Sequence, residues 1–231
     1  MSKSKNPYNA VMFDLDGTLA DTLADIAAAA NFALTSLGHN TIDLPDYRYL
    51  AGQGLEYLIT HALGQVTETK PQSISHEQIQ AGMDQFKFFY KDHSLDQTKP
   101  FDGIADVLNK LNARQIPVCI LSNKPHHATC DVVQKIFGQW TFAHVLGHVE
   151  GAPLKPDPTT AIELAGKMSV APDTMLYVGD TSADMQTAKA AGFFAVGVLW
   201  GFRDEPELRE SGADAIVNHP IELLDVLDGK L

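Results

Sequence analysis

The sequence predicts an α/β fold in which a parallel sheet is interrupted, after its first strand, by a block of helices. Three observations predict it. Beyond residue 100, short runs rich in Val, Ile and Leu recur at 118–121, 144–149, 175–178 and 195–199, separated by amphipathic patterns of about ten residues. That alternation is the signature of βαβ units feeding a parallel sheet. A run of the same kind, AVMFDL at 10–15, stands alone near the start of the chain. A lone strand cannot bury itself, so it joins the later ones. Between residues 20 and 90 the pattern is helical and no strand intervenes. The expected organisation is a discontinuous α/β core, 1–18 and 91–231, carrying a helical insertion at 19–90.

The elements follow in order. The first strand runs at once into DGT turn chemistry. A helix follows, with Asp21 or Thr22 able to cap it and Leu23, Ile26, Ala27, Ala30, Leu34 and Leu37 forming one apolar stripe at 3.6 spacing. Gly38 stops it as a C′ glycine. A short helix is expected over about 55–63, after Gly52 and Gly54, and 65–72 reads as a loop. Ser75 with Gln78 three residues on makes a capping box. The helix it opens places Ile79, Met83, Phe86 and Phe89 or Tyr90 on one face, an aromatic stripe that reads as interhelical packing. Further helices are expected at 104–111, 128–137, 159–167 and 183–191, each preceding one of the later strands.

Composition narrows the functional classes. Seventeen Lys and Arg against 29 Asp and Glu give a formal charge of −12. A field of that sign repels polyanions, so neither nucleic acid nor an anionic membrane is an expected partner. No apolar stretch approaches the ~20 residues a membrane helix needs. The opening MSKSKNPYNA carries two lysines and no apolar segment of signal-peptide length follows it. The two cysteines, Cys119 and Cys130, form neither a disulfide framework nor a metal pattern. Cys119 lies in an apolar run and reads as a buried, inert thiol. A cytoplasmic protein is expected, as monomer or homodimer, because the insertion's apolar helices could pack on the core or on another subunit.

Ligands of an open parallel sheet gather at the carboxyl ends of the strands. There the sequence puts Asp14, Asp16, Gly17 and Thr18 after the first strand, Ser122, Asn123 and Lys124 after the second, Lys155 in LKPDP after the third, and Gly179, Asp180, Thr181 and Asp184 after the fourth. Carboxylates this close cannot all stay ionised without a cation between them. Oxygen-only ligands favour a hard ion such as Mg²⁺, which combines one or two carboxylates with water and a substrate phosphate. One Asp at its edge can then attack phosphorus, since carboxylates form acyl-phosphates. A second carboxylate two positions on lies on the same side of the chain and can protonate the leaving oxygen, then deprotonate water. Ser122, the Asn123 amide and Lys155 would hold the phosphoryl oxygens, where transition-state charge develops.

These segments, DLDGTL at 14–19, SNKP at 122–125, KPDP at 155–158 and GDTSAD at 179–184, resemble the four motifs of the haloacid dehalogenase superfamily. They stand in the family's order and intervals over essentially the whole chain. The resemblance implies a Rossmann-like core with an inserted all-helical cap, Mg²⁺ as cofactor, and a small phosphorylated metabolite as partner. It makes Asp14 the nucleophile and Asp16 the general acid/base with its backbone carbonyl on the metal. Thr18 would orient Asp16, Ser122 would bind phosphate, Lys155 would steady the charge on Asp14 and the phosphoryl group, and Asp180 would ligate the metal. Asp184 would act at the outer edge of the metal site or hold Lys155. Asp16 excludes the superfamily's dehalogenases, which lack that second carboxylate. Within the superfamily, DLDGTLADT, SNKP, VGDTSADMQTAKAAG and GVLWG are most similar to bacterial phosphoglycolate phosphatases, which implies hydrolysis of small phosphomonoesters, 2-phosphoglycolate foremost. RYLAGQG at 48–54 resembles the substrate-facing cap loop, where Arg48 could meet a carboxylate and Gly52 permits close approach.

Plainer readings stand beside these. Asp184 at a helix start could merely favour the dipole, and Lys155 before proline could be a turn lysine. Lys124 and Arg48 read equally well as exposed cations or as site residues. His126 with His127, and His144 with His148, lack the partners of a transition-metal site. Asp157 and Thr159 look like turn and helix-entry residues. The rival activities are a phosphosugar mutase or a pyrophosphatase of the same superfamily. A rival of another class is a phosphorylatable signalling receiver, a single domain of ~120 residues without a large insertion.

Overall fold

The computed structural model describes residues 7–230; the first six residues of the polar leader and Leu231 lie outside the described residues. Its strands are β1 (Ala10–Phe13), β2 (Ala20–Asp21), β3 (Lys99–Pro100), β4 (Val118–Pro125), β5 (His144–His148), β6 (Met175–Gly179), β7 (Phe194–Val198) and β8 (Ala215–Val217). Six of them form one parallel sheet in the order β5-β4-β1-β6-β7-β8, while β2 pairs with β3. β1 therefore lies between β4 and β6, and the chain builds outward from it first on one side and then on the other. That is a topological switch point, where the carboxyl ends of neighbouring strands open a crevice.

The central strands are continuous apolar runs because both faces of the sheet are covered. Alternate residues point to one side, so Ala10 and Met12, Cys119 and Leu121, and Met175 and Tyr177 share one buried cluster. The helices Thr159–Lys167 and Ser182–Ala191 cover it with Ala161, Leu164, Ala165, Met185 and Ala188. Most of these are small, which lets the helices lie close on the sheet. β8 was absent from the sequence expectation. It is three residues long and half-buried at the sheet edge, too short for a period to show.

The chain divides into two compact units, one of the residues up to Ala20 together with those from Pro100 onward, the other Asp21–Lys99. Apart from its end residues Asp21 in β2 and Lys99 in β3, the second unit is helical, with Leu23–Ser36, Tyr47–Leu50, Leu55–Val66 and His76–His93 as its α-helices. The expected junction near residue 90 falls inside the last of these, which runs on because Lys91 and His93 suit the negative end of the helix dipole. Gly38 ends the first helix at φ 82 as the C′ position, and Ser75 and Gln78 form the capping box. Gly82 allows a tight crossing, since a Cβ there would sit 2.6 Å from Cγ2 of Ile59.

The first helix is not capped as expected. Thr22 holds the N-cap position without a side-chain cap bond, and its buried hydroxyl has no hydrogen-bond partner among the described residues. The carboxylate of that turn, Asp25, is buried and turned elsewhere. It accepts the backbone N–H groups of Gln97 and Thr98 and the Thr98 hydroxyl, at 2.6–3.1 Å. A carboxylate 72 residues from its donors thus ties the first turn of the unit to its last segment.

No helix among the described residues is long and apolar enough to cross a membrane. Both cysteines are free thiols; Cys119 is buried, and burial pushes its pKa up to about 12. Two outcomes are expected. Asp25→Ala strands two backbone donors and lowers stability by roughly 2–4 kcal/mol, measured by urea denaturation. Iodoacetamide at pH 8 alkylates Cys130 in the native protein and reaches Cys119 only in denaturant, read by peptide mass mapping.

Candidate active site

The site lies at the carboxyl ends of β1, β4 and β6, within the α/β unit. Asp14 leaves β1 with its N–H on the Val178 carbonyl of β6 at 2.9 Å. Its buried carboxylate accepts the Leu15 N–H at 2.7 Å and meets the Lys155 ammonium at 2.9 Å, both on Oδ1. Lys155 is buried as well. Its Nζ lies 2.6 Å from Asp184 Oδ1 and 3.3 Å from the Leu121 carbonyl, so three acceptors surround an ammonium with three N–H groups. Burial opposes its charge, yet Asp14 and Asp184 outweigh burial and hold its pKa well above the usual lysine value.

Asn123 explains how Lys155 reaches this position. Its side-chain oxygen accepts the Lys155 N–H at 2.8 Å, and its side-chain nitrogen donates to the Lys155 carbonyl at 3.1 Å. Asn123, expected as a phosphate ligand, therefore uses its side chain to clamp the Lys155 backbone. The β4–β5 register shifts between Leu121 and Pro125. In a regular strand neighbouring side chains point to opposite faces; this irregularity lets consecutive residues serve one rim. Ser122 turns its Oγ to accept the Lys124 N–H at 3.2 Å.

Asp184 opens the helix Ser182–Ala191. Its Oδ2 takes the N–H and hydroxyl of Thr181 at 3.0 and 2.7 Å, and its Oδ1 takes Lys155 and the Tyr177 hydroxyl, the latter at 3.3 Å. The four acceptor positions of a carboxylate are thus occupied. Of the two roles open to Asp184, holding Lys155 is the one its contacts describe. Gly179 makes room, since a Cβ there would lie 2.3 Å from that of Asp184.

Asp180 is fully buried. It accepts the Thr18 hydroxyl on Oδ1 at 2.7 Å and the Phe202 N–H on Oδ2 at 2.8 Å. Thr18, expected to orient Asp16, is aimed at Asp180 instead. The cause is Gly17, which at φ 84 turns the chain toward β6 and passes so near that a Cβ would meet Asp180 Oδ2 at 2.2 Å. Trp200 fixes the same loop through Nε1 to the Thr18 carbonyl at 2.9 Å. Trp200 and Phe202 were not foreseen as site residues; GVLWG marked the segment, but not what it would touch.

Asp16 has its carboxylate on the Lys124 ammonium, 3.1 Å to each oxygen. Lys124 is buried at the rim beside Asp16 and is not an exposed cation. Arg48 and Gly52 lie in the helical unit. Arg48 is an exposed residue of the short helix Tyr47–Leu50, and Gly52 follows it at φ 99. Asp157 and Thr159 form the expected turn, with the Thr159 N–H on Asp157 Oδ1 at 2.9 Å.

Four carboxylates therefore share this rim with two ammonium groups. The surplus of two negative charges equals one divalent cation. Burial, with the neighbouring acids, pushes the Asp14 pKa well up and that of Asp180 to about 7. Asp14, Asp180 and Asp184 offer oxygens within 4.8 Å of one another. With those of Asp184 already engaged, the oxygens of Asp14 and Asp180 are the ones that fit a hard cation.

A family model for haloacid dehalogenase-like hydrolases matches residues 11–198, a span that contains every carboxylate and lysine of the rim. The chain belongs to that family. It is 29% identical over 218 residues to the phosphoglycolate phosphatase of Chromobacterium violaceum, covering 94% of this chain and 96% of the relative. To the phosphoglycolate phosphatase of Nitrosospira multiformis it is 30% identical, with 91% and 92% covered. A crystal structure of a candidate phosphoglycolate phosphatase from Lactobacillus delbrueckii subsp. bulgaricus superposes with a TM-score of 0.90 at 31% identity, covering 96% of this chain and 99% of that one. In this hydrolase, Asn123→Ala is expected to leave the fold intact by circular dichroism and to lower turnover by tens of fold, up to about 100-fold, through a displaced Lys155.

Proposed function

We propose that this hydrolase is a Mg²⁺-dependent phosphatase of small phosphomonoesters, with 2-phosphoglycolate as its substrate, working through an aspartyl-phosphate on Asp14. The observation that carries this reading is the pair Asp14 and Asp16, two residues apart after β1, each facing its own buried lysine. The relatives named phosphoglycolate phosphatase, matched over nearly their whole length, support the substrate.

The chemistry follows from the contacts. Among the described residues, the Leu15 N–H and the Lys155 ammonium both take Oδ1 of Asp14, which leaves Oδ2 as the oxygen to attack phosphorus. The new bond joins Oδ2 to phosphorus as the bond to the ester oxygen breaks. Asp16, carrying the proton that it regains from water in the second step of each cycle, gives it to that leaving oxygen. The carboxylate left on Asp16 then takes a proton from water, whose oxygen attacks the same phosphorus. The aspartyl–phosphorus bond breaks, phosphate departs, and Asp14 is restored. Lys155 neutralises charge on Asp14 and the phosphoryl oxygens, and Ser122 with the Asn123 N–H holds those oxygens. Asp14, Asp180 and the Asp16 carbonyl would hold Mg²⁺, which when bound supplies positive charge to the phosphoryl group. Asp184, with its oxygens filled, serves as the positioning residue of Lys155. Arg48 and Gly52 remain the proposed substrate-facing residues of the helical unit, supported by the glycine conformations at 52 and 54.

Phosphate release from a panel of phosphometabolites tests this reading, with a peak at phosphoglycolate expected and a flat profile counting against the substrate. Asp14→Asn abolishes turnover, and Asp16→Asn lowers it by roughly 10²–10⁴-fold. Excess EDTA stops phosphate release and added Mg²⁺ restores it; full activity in EDTA removes the metal from the reaction.

A further inference from the structure

Lys124 is a buried cation that the steps above do not use. Its side chain is 4% exposed, and its Nζ sits 3.1 Å from both oxygens of Asp16. A lysine this deep needs compensation, and Asp16 provides it. The pairing also fixes where the charge stands. Asp16 must reach the leaving oxygen at about 2.6–3.2 Å to protonate it. The ammonium and the leaving oxygen therefore share one carboxylate and lie within about 6 Å of each other.

Lys155 is engaged on the other side. Its acceptors are Asp14, Asp184 and the Leu121 carbonyl, which ties it to the nucleophile and the phosphoryl group. Lys124 is a cation on the leaving-group side of the same rim. An anionic leaving group entering there meets Asp16 and its neighbouring acids, whose repulsion Lys124 offsets.

We infer that Lys124 is a specificity-determining residue, whose ammonium selects phosphomonoesters that carry a carboxylate on the carbon next to the ester oxygen. This rests on the phosphatase reading and deepens it. In such an ester the carboxylate is only two bonds from the oxygen that Asp16 protonates, so proton delivery and recognition are read from adjacent atoms. The bland alternative is that Lys124 only balances Asp16, in which case its loss would hurt every ester alike.

The test is a ratio: kcat/KM for 2-phosphoglycolate divided by kcat/KM for 2-hydroxyethyl phosphate, its counterpart with a hydroxymethyl group in place of the carboxylate. Any damage passed on through Asp16 is common to both esters and cancels. In Lys124→Met the ratio falls at least fivefold, and Lys124→Arg, which keeps the charge, retains most of it. A fall of less than fivefold in Lys124→Met overturns the assignment. Should that variant not fold, Lys124→Gln gives the same readout, and a wild-type ratio near one overturns the assignment without any variant. If another phosphomonoester is turned over far faster than phosphoglycolate, the substrate reading fails. The ratio, taken on two esters the enzyme still cleaves, then continues to decide the role of Lys124. Release of phosphate from neither ester overturns both.

Discussion

The architecture of the site depends on one buried ion cluster, the Lys155 ammonium held between Asp14 and Asp184. Its three partners come from β1, β4 and the start of the helix after β6, so it can form only when those strand ends converge. The cluster in turn explains its surroundings. Asn123 clamps the lysine backbone, Thr181 and Tyr177 fill the remaining acceptor positions of Asp184, and Gly179 clears space for that carboxylate. Burying three charges is costly unless each is paired and hydrogen-bonded. Here nearly every polar atom of Asp184 and Lys155 is.

The overall charge and the local charge act on different ligands. A net −12 disfavours polymers that would wrap the surface, but a small anion feels mainly the groups within a few ångströms. At the rim, two buried lysines stand among four buried acids. Each lysine is assigned to a different acid of the Asp14 and Asp16 pair, which separates the nucleophile side from the leaving-group side. The residual negative charge is what suits the rim to a hard divalent cation.

Much of this was legible beforehand, and unevenly so. The strands at 10–15, 118–121 and 175–178 announced themselves as apolar runs because they are buried on both faces. Ser75 and Gln78 announced a helix start because the capping box is local chemistry. β8 escaped notice because three residues, two half-buried and one buried, are too few to show a period. Thr18 was assigned to Asp16, its near neighbour in sequence, whereas the left-handed turn at Gly17 delivers it to Asp180, 162 residues away. Thr22 looked like a cap, yet the carboxylate that organises the start of that helix, Asp25, serves a segment some seventy residues on.

The sequence by itself determined which residue types collect at the strand ends, and with them the oxygen-rich, lysine-bearing chemistry of the rim. It could do so because the residue following a buried strand is placed by a local rule, the strand's length. Only the tertiary structure decided the pairings: Lys124 with Asp16, Lys155 between Asp14 and Asp184, Asn123 against the Lys155 backbone, Trp200 on the Thr18 carbonyl, Phe202 on Asp180. Those depend on which strand ends become neighbours and how far a loop turns between them. That is set by the packing of the whole sheet, and no local stretch of sequence encodes it.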